Sequence, residues 1–167
     1  MKRIGIISDT HSYINEKALS FFDKCDEIWH AGDIGDEQVL QTLQKVAPVR
    51  AVFGNIDDTS LRHKLPQNQI FKIEDINVLM THIGGYPGKY QAGIIELIKR
   101  HQINLFISGH SHILKVMRDE SRNLLHINPG AFGKSGFHRV NTLVRFEIDG
   151  SNFKNLEILE QEKFIKI

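Results

Sequence analysis

The sequence has little of several features that mark whole classes of protein. It contains one cysteine, Cys25, in 167 residues, which excludes an intramolecular disulfide framework and favours a reducing compartment. No apolar run approaches the roughly 20 residues that a membrane span needs. The basic N-terminus leads into an apolar stretch that breaks at Ser8 and Asp9, too short for a signal peptide. These absences predict a soluble, cytoplasmic protein without a membrane segment.

An excess of one charge is also missing, because 21 lysines and arginines nearly balance 20 aspartates and glutamates. Net charge therefore gives no reason to expect nucleic acid or a membrane surface as a partner. Apolar residues are plentiful, at 41% of the chain, which is enough for a domain with its own core. We expect one domain over residues 1–167, and the pattern leaves open whether the chain forms a homo-oligomer.

Apolar periodicity predicts a chain in the α/β class. Its first half is predicted to alternate strands at 3–7, 28–29 and 49–53 with helices at 15–24 and 36–46. This order favours a parallel sheet with right-handed crossovers. The second half is predicted to hold a hairpin (69–74 and 76–81), a helix (91–100), a strand (104–108) and short antiparallel strands at 113–118, 123–127, 141–148 and 153–158. Together these elements indicate a layered α/β sandwich with mixed sheets.

Side chains that can bind metal follow five short apolar runs along the chain. The runs are IGIIS, EIWHA, VRAVF, INVLM and INLFIS, and each is typical of a buried strand that ends in a functional loop. We therefore expect several strand ends to converge on one metal-binding edge. The side chains are those of Asp9, His11, Asp33, Asn55, His82, His110 and His112.

The spacing and chemistry of these side chains predict a pair of ions. Asp9 and His11 are expected on the same side of an extended segment, where they could bind one divalent ion, and His110 and His112 repeat that spacing. Seven ligands are too many for one tetrahedral ion but suit two ions that share a carboxylate. The mixed oxygen and nitrogen set favours manganese, with iron, zinc or nickel as alternatives, over magnesium or calcium. Two such ions can hold a bridging hydroxide and promote an in-line phosphoryl displacement.

Five sequence blocks together resemble a known family. They are DTH at 9–11, GD at 32–33, GN at 54–55, TH at 81–82 and GHSH at 109–112, joined by INPGA at 127–131. In this order they resemble the motifs of the calcineurin-like metallophosphoesterases, and most of all the small bacterial and archaeal phosphodiesterases of the YfcE type, which share a fold with a retromer subunit. The resemblance covers nearly the whole chain and implies a four-layer α/β/β/α sandwich of two mixed β-sheets flanked by helices.

The resemblance also implies a role for each ligand. The first metal ion would be held by Asp9, His11 and His112. The second would be held by Asn55, His82 and His110, with Asp33 as the bridge. The implied activity is hydrolysis of a small phosphodiester by a metal-bridging hydroxide. Two alternatives remain open: a scaffold protein with little or no catalysis, like the retromer subunit, and a phosphomonoesterase.

The sequence departs from the family pattern at two places. Many larger relatives carry histidine after GN, where it helps to protonate the leaving group, and this chain has Ile56 there. No separate general acid is therefore identified, and we expect slow turnover or a restriction to good leaving groups, unless another group such as His11 or a metal-bound water supplies the proton. The second departure is at 81–85, where the usual TH-G is THIGG in this chain. The irregular loop 83–90, which contains Tyr86, Lys89 and Tyr90, is therefore a candidate flap that shapes the substrate pocket.

Structural explanations are preferred for the remaining polar candidates. His30 is expected to be a packed core histidine, with a supporting role near Asp33 as the alternative. Asp36 is expected to start a helix and Asp57 to lie in a turn, although both could orient ligands. The turn expected at 128–130 would support the metal edge. Surface or packing roles are expected for His63, His101, His126 and His138. Lys134 and Arg139 are expected to be solvated charges, although either could bind phosphate.

Overall fold

The computed structural model describes residues 1–163, so the last four residues of the predicted domain lie outside it. Two five-stranded mixed sheets form its centre. The strands of the first sheet are β1 (Lys2–Ile7), β2 (Glu27–His30), β3 (Val49–Ala51), β11 (Val140–Asp149) and β12 (Asn152–Glu162). Their order is β12-β11-β1-β2-β3, and β1, β2 and β3 are parallel. The carboxyl ends of these three strands consequently meet at one edge.

The second sheet has three parallel strands at its centre. Its strands are β4 (Asn68–Ile73), β5 (Ile76–Thr81), β8 (Leu105–Ile107), β9 (Leu114–Asp119) and β10 (Leu124–Pro129), in the order β4-β5-β8-β10-β9. Strands β5, β8 and β10 are parallel, while β4 and β9 are antiparallel edge strands. The sequence prediction of purely antiparallel pairing after residue 113 is therefore wrong for β10, because this strand returns beside β8 and buries both of its faces.

Within residues 1–163, four α-helices cover the outer faces of the sheets. They are α1 (Glu16–Phe21), α2 (Gln38–Gln44), α3 (Thr59–Lys64) and α4 (Ile94–Arg100). Ala18 of α1 and Leu43 of α2 pack in the cluster outside the first sheet, and Ile98 of α4 packs outside the second. The largest core cluster lies between the sheets and includes Trp29 and Phe146. This arrangement is the expected α/β/β/α sandwich.

The boundaries of several elements differ from the sequence prediction. Helix α1 ends early because Lys24 adopts a left-handed conformation, with φ 65°, although Asn15 caps its start as expected. Helix α3 was not predicted from the sequence. Its signals are the Asp58 side chain, which accepts from the Leu61 N–H at 2.9 Å, and the basic last turn.

Loop 83–90 is more ordered than the predicted flap. It contains a short antiparallel ribbon of β6 (Gly85–Tyr86) and β7 (Lys89–Tyr90). The Tyr90 hydroxyl donates to the Asp119 carboxylate at 2.7 Å, and the Gly85 carbonyl accepts from the Ser108 hydroxyl at 3.2 Å. Both strands of the ribbon are thus tied to the second sheet, which holds the loop over the strand ends.

No helix within residues 1–163 is long and apolar enough to cross a membrane. The cytoplasmic location stays a prediction.

Candidate metal centre

The predicted ligands converge where the carboxyl ends of the two sheets face each other. One group combines Asp9, His11 and His112, and another combines Asp33, His82 and His110. Within each group the ligand atoms lie within 4.8 Å of one another. Asn55 lies beside the second group, with its Oδ1 3.0 Å from Nε2 of His82. All seven sequence-predicted side chains are therefore brought together.

Asp33 lies between the two groups, with one carboxylate oxygen toward each. Its Oδ2 is 3.6 Å from Nε2 of His11, and its Oδ1 is 3.2 Å from Nε2 of His82. The Ile56 N–H also donates to Oδ1 at 3.0 Å, which fixes the orientation of the carboxylate. A carboxylate in this position can contribute an oxygen to two ions at once.

The backbone geometry of the ligands differs from the expected alternation along extended strands. Five ligands have positive φ angles, between 45° and 70°, and they are Asp9, His11, Asp33, His110 and His112. A non-glycine residue in this region carries a conformational cost that the surrounding structure must support. His112 belongs to the first group and His110 to the second, which is the division of the two histidines that the resemblance implies. The left-handed turn directs the two imidazoles apart.

The donor atoms of the centre fit divalent cations. Asp9 Oδ1 and His11 Nε2 are buried and have no hydrogen-bond partner among residues 1–163. Asp9 Oδ1 instead lies 3.2 Å from Nε2 of His112 and 3.8 Å from Nε2 of His82. Buried acceptor atoms that face one another are costly unless a proton or a cation lies between them. The oxygen and imidazole donors match the preferences of transition-metal ions.

The charges in the centre stabilise one another. Burial raises the pKa of Asp9, but the nearby imidazoles of His112 and His82 and the Ser8 hydroxyl, which donates to Oδ2 at 2.6 Å, outweigh it and hold the pKa below its usual value. Burial likewise raises the pKa of Asp33, but the nearby His82 outweighs it and holds the pKa below its usual value. Burial lowers the pKa of His82, but the carboxylates of Asp33 and Asp9 have the larger effect and raise the pKa above its usual value. The centre is therefore built to keep both carboxylates ionised beside positive charge.

Side chains next to the ligands explain how the strand-end loops are held. The Asp57 carboxylate accepts from the Gly35 N–H at 2.8 Å and the Gly54 N–H at 2.7 Å. It thereby joins the loop after β2 to the loop after β3, which is more than the turn role expected from the sequence. The Asn128 side chain donates to the Gly109 carbonyl at 2.9 Å. The turn expected at 128–130 is shorter, because Asn128 and Pro129 are the last residues of strand β10. The chain turns at Gly130, whose φ is 75°.

Two histidines outside the ligand set contact this region. His30 is fully buried, and its Nε2 lies 2.9 Å from the Thr10 hydroxyl. Burial lowers the pKa of His30 to about 3, so the ring is neutral, as expected for a core histidine that supports the loop before Asp33. His138, expected at the surface or in packing, lies 3.1 Å from His112 between their Nδ1 atoms. No sequence motif marks His138, because the contact is made by a loop 26 residues further along the chain.

Comparison with known proteins agrees with this geometry. Residues 1–151 match the calcineurin-like phosphoesterase superfamily domain. The chain is 34% identical to a probable metallophosphoesterase of Methanocaldococcus jannaschii over 134 residues, covering 77% of this chain and 67% of the relative. A solved archaeal phosphodiesterase has a TM-score of 0.76 at 22% identity, covering 94% of this chain and 99% of that one. Vps29 from Entamoeba histolytica complexed with Zn²⁺ has a TM-score of 0.75 at 16% identity, covering 97% and 99%. At these low identities the two structures show a shared fold.

Proposed function

The chain belongs to the calcineurin-like phosphoesterase superfamily, and from this premise we propose that it is a phosphodiesterase that uses two divalent metal ions. The observation that carries the proposal is the position of Asp33 between two groups of ligands. One group would hold the first ion through Asp9, His11 and His112. The other would hold the second ion through His82, His110 and the neighbouring Asn55.

The protein side chains would hold the ions and position the substrate. Bound divalent ions provide Lewis acidity toward phosphoryl oxygens and lower the pKa of coordinated water. Manganese is the proposed metal, with iron, zinc and nickel as alternatives, because the donors mix carboxylate and amide oxygen with imidazole nitrogen. The chain's own contribution is rigidity: Asp57 and Asn128 hold the loops that carry the ligands.

Two cavities beside the second ligand group favour a diester over a monoester. One, of about 260 Å³, is lined by His110, Tyr86 and Lys115. The other, of about 180 Å³, is lined by Asn55 and His82, and Ile83 borders both. A phosphodiester carries two organic groups, and a phosphate held near His110 and His82 would have a separate cavity for each. A monoester would fill only one of them.

The larger cavity has a basic rim that suits an anionic substrate. The Lys115 ammonium lies 3.5 Å from the ring centroid of Tyr86, a cation–π contact that positions both side chains. Lys89 lines the same cavity. Their positive charge would attract a phosphodiester toward the metal centre. The loop 83–90 thus forms a wall of the proposed substrate site.

The leaving group receives no help from residue 56. Ile56 is 45% exposed and has no proton to donate, so the reaction should depend strongly on the acidity of the leaving alcohol. We expect aryl phosphodiesters to be hydrolysed and simple alkyl diesters to react slowly. Comparison of bis-p-nitrophenyl phosphate with methyl p-nitrophenyl phosphate and dimethyl phosphate tests this dependence.

Hydrolysis of bis-p-nitrophenyl phosphate by the metal-stripped and Mn²⁺-loaded protein tests the function itself. We expect Mn²⁺-dependent turnover with a kcat/KM at least about tenfold above that for p-nitrophenyl phosphate, since one cavity stays empty with the monoester. An Asp33→Asn variant should lose about 100-fold or more in kcat, because it removes the shared charge from the metal site. Asp23→Asn, on the exposed surface, is the matched control and should keep full activity.

Three outcomes would contradict the proposal. Full activity in Asp33→Asn would exclude a shared carboxylate. Faster hydrolysis of the monoester would indicate a phosphomonoesterase. Metal binding without turnover of any aryl ester would favour the scaffold alternative.

A further inference from the structure

The loop between β10 and β11 closes over His112. Gly136 takes a φ of +101°, and a Cβ atom at this position would overlap the imidazole ring of His112. Gly133 packs equally tightly against the backbone oxygens of Asp9 and Thr10. Glycine at both positions lets the loop approach the first ligand group with its backbone. This approach places the side chain of His138 against His112.

The His138 ring lies between His112 and two fixed hydrogen-bond acceptors. The Nδ1 atoms of the two histidines are 3.1 Å apart, and the rings are nearly perpendicular at 81°. The other nitrogen of His138, Nε2, lies 3.0 Å from the Gly133 carbonyl oxygen and 3.0 Å from Oδ1 of Asn141. Asn141 is itself buried. His138 is thus held between a ligand of the metal centre and the backbone.

Only one arrangement of protons satisfies these contacts. The Gly133 carbonyl can only accept, so Nε2 of His138 must carry a hydrogen. In the neutral ring Nδ1 of His138 then has a lone pair and can only accept, which requires Nδ1 of His112 to be the donor. With its proton on Nδ1, His112 presents a lone pair at Nε2, the atom that lies 3.2 Å from Asp9 Oδ1 in the first ligand group.

We propose that His138 is a positioning residue that sets the tautomer and ring orientation of His112 for the first metal ion. The inference rests on the proposed function only in requiring that the ion binds there. The second group does not need such a residue, because Nδ1 of His82 lies 2.7 Å from the Ala31 carbonyl. The two sites therefore differ, since a side chain supports His112 and the backbone supports His82.

Metal binding by a His138→Phe variant tests this asymmetry. Phenylalanine keeps a ring of similar size but removes the acceptor for the Nδ1–H of His112. Calorimetric titration of the metal-stripped protein with Mn²⁺ should show one of two sites weakened by about 10- to 100-fold and the other unchanged. His138→Gln, whose amide oxygen can accept, should recover part of the loss. His63→Phe, on the exposed face of α3, should bind as the wild type does.

NMR of the Zn²⁺-loaded protein provides a readout that a purely structural role would not produce. Nitrogen-15 spectra should show the His138 proton on Nε2, and a coupling between the two Nδ1 nuclei through the hydrogen bond. A proton on Nδ1 of His138 would overturn the inference, as would equal weakening of both sites in His138→Phe or unchanged affinity. Two-site binding without phosphodiester turnover would overturn the proposed function and leave the role of His138 supported.

Discussion

His126 is a fully buried histidine in which only one ring nitrogen is paired. Its Nδ1 lies 3.1 Å from the Phe106 carbonyl, whereas Nε2 has no hydrogen-bond partner among residues 1–163. The ring also packs on Phe106, with centroids 5.0 Å apart. Burial lowers the pKa of His126 to about 4. In mild acid the His126 ring therefore stays neutral in the folded protein, whereas in the unfolded chain it takes up a proton.

This residue should make the stability fall in mild acid. The pKa of His126 is near 6.5 in the unfolded chain and lower in the folded protein, so protonation favours the unfolded chain. The resulting loss of stability is small above pH 6.5 and grows as the pH falls toward 4. Between pH 7 and pH 5 we expect His126 to reduce the free energy of unfolding by about 2 kcal/mol. Urea denaturation of the wild type and of His126→Phe at both pH values measures the difference.

The measured quantity is the change in the free energy of unfolding between the two pH values, because the substitution also changes the absolute stability. His63→Phe serves as a control, because it replaces a histidine on the exposed surface and leaves the surroundings of His126 unchanged. An equal loss of stability between pH 7 and pH 5 in the wild type and His126→Phe would contradict a buried neutral ring.

At the residue scale, the sequence predicted which side chains meet but not how they meet. Carboxylate, amide and imidazole groups after apolar runs identified all seven members of the centre. The left-handed conformations of Asp9 and His110 have no local signal, because their cost is offset by contacts with the other sheet. The role of His138 depends on a distant loop, and no spacing within one segment could reveal it.

At the element scale, the turns after the strands control the distances within the centre. Gly54 follows β3, and a Cβ atom there would overlap both the backbone nitrogen and the carboxylate of Asp33. The loop that carries Asn55 can therefore approach Asp33 only because residue 54 has no side chain. This contact explains why the GN block needs its glycine.

A Gly54→Ala variant should separate the two loops. We expect a loss of about 1–3 kcal/mol in the free energy of unfolding, because the neighbouring atoms are backbone and a fixed carboxylate. Mn²⁺ affinity measured by calorimetry should fall at the same time. Gly88→Ala is the matched control: its φ of +89° makes alanine strained, but among the described residues no atom beyond its two chain neighbours lies within 4 Å of the new Cβ. Gly88→Ala should keep its metal affinity, and unchanged affinity in Gly54→Ala would show that the close approach is not required.

Prediction from sequence succeeded for elements with clear periodicity and failed where tertiary contacts decide. The core strands and the helices at α1, α2 and α4 followed from their apolar patterns, with ends shifted by a few residues. Helix α3 has one buried residue, Leu61, which is too little for a periodic signal. The ribbon in loop 83–90 depends on the anchoring of Tyr90 to Asp119, two residues far apart in the sequence.

At the scale of the whole molecule, the proposed metal centre joins the two sheets. Asp9, Asp33 and Asn55 follow strands of the first sheet, while His82, His110 and His112 follow strands of the second. Each ligand group includes members from both sheets. Binding of an ion would therefore add a link between layers that also meet through apolar contacts, such as those of Trp29, and through hydrogen bonds, such as that from the His110 N–H to the Asp9 carboxylate.

Metal ions should consequently stabilise the folded protein against heat. A ligand that binds only the native state at 100 times its Kd adds about 2.7 kcal/mol, which corresponds to roughly 5–10 °C in Tm for a chain of this size. Scanning calorimetry of the metal-stripped protein with increasing Mn²⁺ measures the shift, and a chelator should reverse it. An Asp9→Asn/Asp33→Asn double variant should show little or no shift, because both buried carboxylates lose their charge. If the double variant gained as much Tm as the wild type, the ions would be binding elsewhere, and the centre would not connect the sheets.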